Sequence, residues 1–104
     1  MPSYQKTRRA DQDLQEIYRY TRRTWGRAQA ERYLRGLAQR FAALADNPLI
    51  GIAREDLRPE GLRSVVHGDH VVFYQPQSYG ALIVRVLHGR QDVRTHLGGG
   101  EEPS

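Results

Sequence analysis

The chain has 104 residues, enough for one small domain, and carries 16 basic against 12 acidic residues for a formal net charge of +4. It has no cysteine, which excludes disulfides, thiolate metal sites and a cysteine nucleophile. Neither an apolar leader nor an apolar run of membrane-spanning length is visible, so a cytoplasmic protein with no membrane partner is expected. Lys6 is the sole lysine among the basic residues, and such an Arg-rich surface suits an anionic partner, either an acidic protein segment or a phosphate backbone.

Along the chain, Ser3 to Lys6 read as a short strand, and Thr7 offers a hydroxyl to cap the helix that follows. Ala10, Leu14, Ile17, Tyr18, Thr21 and Trp25 recur at three- and four-residue steps on one stripe of that helix, which makes them core candidates. Acidic residues crowd its start and arginines its end, the order that complements the helix dipole. Gly26 is expected to close it in a left-handed conformation. A second helix carries Ala30, Leu34, Leu37, Phe41 and Leu44 on one stripe, with Tyr33, Ala38 and Ala45 at its edges, and stops at Asn47-Pro48. Two helices joined this tightly pack as an antiparallel hairpin. Gly36, inside the second helix, has no visible reason to be there.

Leu49 to Gly61 lack periodicity and read as a surface connection. Leu62 to Val66 and Val71 to Gln75 are strands joined by a tight turn at Gly68-Asp69. Pro76 to Gly80 predict a looser turn into Ala81 to Asp92, whose strand is apolar on both faces and therefore belongs in the middle of a sheet. On it, Leu82, Val84 and Val86 are assigned to the helices and Ile83, Arg85 and Leu87 to an open face, although two apolar faces allow the inverse. Arg85 cannot shed its charge, so it needs a carboxylate, a wet groove or a ligand. Residues 1–97 are read as one domain and residues 98–104 as a disordered tail. The class is α+β, βααβββ, with a helical hairpin on a mainly antiparallel sheet and one sheet face left for something else.

Several runs resemble one family: DLQEIYRYTRRTWG from Asp13, QAERYLRGL from Gln29, NPLIG from Asn47, LRPEGLRS from Leu57, GDHVVFY from Gly68 and RVLHGRQD from Arg85. In that order they resemble the ParE branch of the RelE/ParE toxins, the toxin halves of type II toxin-antitoxin modules. The resemblance implies the βααβββ fold and inhibition of DNA gyrase. It also implies a complex with a ParD-like antitoxin, through which alone DNA is contacted. No cofactor is implied.

The alternative is the RelE branch, whose members cut messenger RNA on the ribosome. A metal-free ribonuclease needs a base, an acid and cations over the phosphate. His88, Arg85, Arg90, Arg63 and Asp92 offer such a set if the strand ends converge. RelE-type toxins, however, present dense lysine and arginine with a C-terminal tyrosine, whereas this chain has no tyrosine after Tyr79, so no catalytic residue is assigned. Arg63, Tyr74, Arg85, His88, Arg90 and Asp92 are instead candidates for binding the target or the antitoxin. The competing structural reading pairs Asp92 with Arg85 or Arg90 and lets His88 bond to backbone; under it, Arg85→Leu should be neutral or stabilising. His67 and His70 flank the turn without a third ligand, too little for a zinc site.

Overall fold

The computed structural model describes residues 1–97. Its elements are β1 (Ser3–Lys6), α1 (Arg8–Trp25), α2 (Arg27–Asp46), β2 (Ile52–Ala53), β3 (Arg63–His67), β4 (His70–Gln77), β5 (Gly80–His88) and α3 (Val93–His96). The strands form one sheet in the order β1-β5-β4-β3-β2, with β1 parallel to β5 and the remaining pairs antiparallel. The α+β architecture expected from the periodicities is present, and the doubly apolar strand lies inside the sheet, flanked by β1 and β4.

Thr7 caps α1 as expected, accepting the Ala10 N–H at 3.0 Å. Its hydroxyl also donates to the Val84 carbonyl at 2.8 Å, tying the start of the helix to β5. Gly26 takes a positive φ of 97° with ψ 165°, so it bends the chain between the helices outside the left-handed helical region. The hairpin buries Ala10, Ile17, Leu37, Phe41 and Leu44 against Val72, Tyr74, Ala81, Ile83 and Val86 of the sheet. Trp25 departs from its stripe: it is 64% exposed, because no residue from Tyr18 to Gln29 is buried and the hairpin tip extends past the packed core. A Cβ on Gly36 would meet the His67 ring at an ordinary 3.4 Å, so nothing in the structure explains that glycine.

The face assignment on β5 is corrected by a bulge. Phe73 pairs with Arg85 and Tyr74 with Ile83, leaving Val84 as the extra residue. Ala81, Ile83 and Val86 therefore face the helices, while Leu82, Val84 and Leu87 face the other way. Leu82, Ile83 and Val84 thus lie on the sides opposite to those expected and Val86 and Leu87 on the expected ones, since an inserted residue inverts the alternation on one side of it. The second face is also not free. Leu57 and Leu62 from the connection before β3, and Leu97 after α3, bury themselves on Phe73, Val84 and Leu87. The connection read as featureless thus contributes both β2 and the buried Leu57.

The turn from β3 to β4 is the tight one expected, with Gly68 at φ 58° and His67 paired to His70. The expected looser turn at Pro76 to Gly80 is replaced by a second tight one, because β4 runs through Pro76 to Gln77 and Gln77 pairs with Gly80. The tail at residues 98–104 lies outside the described residues.

Candidate functional site

β1 ends at Lys6, but β5 continues to His88, so half of its outer edge lacks a strand partner. Exposed strand edges leave backbone groups unpaired. Here α1 and its cap cover that edge: Thr7 N–H donates to the Ile83 carbonyl at 3.0 Å, and the Asp13 carboxylate accepts the Val86 N–H at 2.9 Å. The same carboxylate takes two parallel bonds from Arg85, 2.8 Å from Nε and 2.9 Å from Nη2. Bidentate pairing of this kind fixes geometry as well as charge. The partner that Arg85 requires is therefore Asp13, and neither Asp92 nor a ligand is needed for it. That hydrogen bond raises the guanidinium pKa further, with burial opposing.

Beyond this pair, a cleft of about 550 Å³ opens between α1 and the end of β5, lined among others by Arg9, Glu16, Tyr20, His70, His88 and His96. His70 and His88 are cross-strand neighbours with ring centroids 5.4 Å apart. Tyr33 of α2 donates to the His67 carbonyl at 3.0 Å, and its oxygen lies 2.7 Å from His70 Nδ1. Burial, and then the neighbouring His88, push the His70 pKa down. His67 is likewise lowered, first by burial and then by Arg40. Burial raises the Tyr33 hydroxyl.

The six sequence candidates do not converge. Arg85 and His88 line the cleft. His88 is held at its backbone, its N–H donating to Gln91 at 2.7 Å and its Nδ1 accepting the Arg90 N–H at 3.1 Å. Asp92 caps α3, accepting from Arg94 N–H at 3.1 Å and from the Thr95 hydroxyl at 3.0 Å. Arg90 is exposed in the turn between them. Tyr74 is fully buried; its hydroxyl donates to the Pro48 carbonyl and accepts the Gly51 N–H, both at 2.8 Å. Arg63 donates to the Leu49 carbonyl at 3.1 Å and to that of Gly51. Together Tyr74 and Arg63 hold the loop from Pro48 to Gly51. Gly51 must be a glycine there, because a Cβ would fall 2.6 Å from the Tyr74 oxygen and 2.8 Å from the Ser64 carbonyl.

That loop presents what sequence reasoning passed over. Leu49, Ile50 and Ile52 are 69%, 67% and 72% exposed, three large aliphatic side chains within four residues beside the β2 edge. Clustered exposed aliphatic groups mark a surface for another macromolecule. The signal was the run NPLIGI itself, apolar residues in a segment without any period that would bury them. Among the described residues, no group of three or more His, Asp or Glu is placed to hold a metal ion. No helix among them is long and apolar enough to cross a membrane.

Residues 4–93 match the family described as ParE toxin of type II toxin-antitoxin system, parDE. The chain is 40% identical over 98 residues to Toxin ParE1 of Caulobacter vibrioides, covering 94% of this chain and 100% of that one. It is 43% identical over 89 residues to Toxin ParE1 of Mycobacterium tuberculosis strain H37Rv, covering 85% and 90%. To Toxin ParE of Escherichia coli it is 41% identical over 100 residues, covering 93% and 94%. A chain of the solved chromosomal ParDE TA system from P. aeruginosa has the same fold, with a TM-score of 0.69 at 21% identity over 85% of this chain and 96% of that one.

Proposed function

Since the chain belongs to the ParE toxin family of type II toxin-antitoxin systems, we propose that it inhibits DNA gyrase by direct protein contact and is neutralised by a ParD-like antitoxin. The observation that carries this reading is the employment of the polar candidates. Arg85 is consumed by Asp13, Asp92 by the cap of α3, and Arg63 and Tyr74 by the 48–51 loop. A metal-free phosphodiesterase would need an acid, a base and cations converging on one phosphate. Leu49, Ile50 and Ile52 stay available at the surface, with His88 and Arg90 at the far end of β5. An exposed aliphatic surface of this kind supports a binding role. Arg63, Tyr74 and Arg85 then serve binding indirectly, by fixing the loop and the edge that present it.

The antitoxin would use an apolar helix along the α1–α2 seam, where Leu14, Tyr18 and Leu34 line a shallow groove, and an extended segment at the sheet edge. Purified gyrase with relaxed plasmid tests the target. Supercoiling should stop with the toxin present and resume when a ParD-like antitoxin is added. Cleaved messenger RNA in a translating extract, with supercoiling untouched, would replace this reading with the ribonuclease one.

A further inference from the structure

The positive charge of this protein is segregated. From Arg19 to Arg35 the chain holds six arginines and one glutamate, a net +5, whereas the whole chain carries +4 and everything else therefore sums to −1. This segment is the tip of the α1–α2 hairpin, where no residue from Tyr18 to Gln29 is buried. Its single glutamate is taken by Arg27 at 2.9 Å. Arg19, Arg22, Arg23, Arg32 and Arg35 are exposed, and none has a carboxylate within ion-pair distance among the described residues. Two aromatic side chains stand exposed in the same stretch, Trp25 at 64% and Tyr20 at 58%.

We infer that the hairpin tip binds a nucleic-acid strand, its arginines engaging phosphates and Trp25 stacking on an unpaired base. Guanidinium groups fit phosphate oxygens bidentately, and exposed indoles stack on any base without regard to sequence. The composition of the tip favours this partner over an acidic protein. YRYTRRTWGRAQ, from Tyr18 to Gln29, interleaves four arginines with the exposed rings of Tyr20 and Trp25 and holds no carboxylate, the combination of phosphate-binding cations and stacking rings that tracks a single strand. The aliphatic loop at Leu49, Ile50 and Ile52 is a separate surface. The inference departs from the expectation that DNA is reached only through the antitoxin, and it does not depend on which enzyme the toxin poisons.

The test is fluorescence anisotropy of the full chain with labelled twenty-mers: oligo-dT, oligo-U and a mixed-sequence DNA duplex. Oligo-dT should bind, with affinity falling steeply as salt rises. The Arg22→Gln/Arg23→Gln pair should weaken oligo-dT binding about tenfold at low salt and lower the salt slope by about 1.4. Trp25→Ala should remove any preference for the single strand over the duplex. Oligo-U binding as well as oligo-dT would assign the site to nucleic acid generally, within the inference, and a strong bias would name which kind. Arg58→Gln, at an exposed arginine away from the tip, should leave binding unchanged. The inference is overturned by an unchanged anisotropy, by equal losses from Arg58→Gln and the tip pair, or by polyglutamate competing as well as oligo-dT at equal charge. Circular dichroism of each variant separates lost binding from lost fold.

Discussion

Arg85 shows how one residue can be read correctly in its need and wrongly in its partner. An arginine among aliphatic β-residues demands compensation, and the sequence offered nearby Asp92. The carboxylate that answers is Asp13, on a helix 72 residues earlier in the chain, and no local pattern signals a pair at that separation. The side chains of Arg85 and Asp13 are only 8% and 11% exposed, so solvent screens them little. Removing the cation would strand a desolvated carboxylate, which costs about 3 kcal/mol or more. Arg85→Leu is therefore expected to destabilise the protein by about that amount in urea unfolding, against the neutral outcome anticipated for a merely structural arginine. The double variant Asp13→Leu/Arg85→Leu should recover much of the loss. The recovery stays incomplete because the Val86 N–H loses its acceptor as well.

At the scale of elements, the helices and strands were legible because their periods are strong, and what was missed follows from features without a period. The β4–β5 bulge inserts Val84 into a strand apolar on both faces, so hydrophobic alternation could not locate it. Trp25 sits on a faultless helical stripe, but a stripe records which way a residue points and not whether a partner reaches that far. The β3–β4 hairpin carries a further consequence. Its His70 meets His88 of β5 and pairs with His67 across the turn, with Tyr33, Asp69, Asp13 and Arg40 around them, and burial lowers the pKa of both hairpin histidines. A histidine whose folded pKa lies below its unfolded value of about 6.5 contributes stability above that value and loses it as the pH falls. Unfolding midpoints should thus hold steady from pH 8 to about pH 7 and decline below about pH 6.5. His70→Gln should flatten the decline, and a midpoint that rises on acidification would contradict the assignment of neutral histidines to this hairpin.

Taken as a whole, the molecule separates the surfaces it offers. The sheet and both of its cores form a frame; the aliphatic loop at Leu49, Ile50 and Ile52 lies beside the β2 edge, and the arginine-rich tip lies at the joint between the helices. Neither surface contributes to the cores, so each can be altered without unfolding the other. Ile50→Asp/Ile52→Asp replaces exposed aliphatic groups, and exposed substitutions of this kind shift stability by about 0.5 kcal/mol or less each. Thermal unfolding of this variant should match that of the parent. If the proposed function holds and this loop meets gyrase, inhibition should nonetheless fall by at least about tenfold, because charge placed in the dry centre of an interface leaves carboxylates desolvated without partners. The same variant should bind oligo-dT like the parent, while Arg22→Gln/Arg23→Gln should show the opposite pattern in that assay. Full inhibition by the Ile50→Asp/Ile52→Asp protein, with its fold intact, would move the target contact away from this loop and toward the exposed end of β5 at His88 and Arg90.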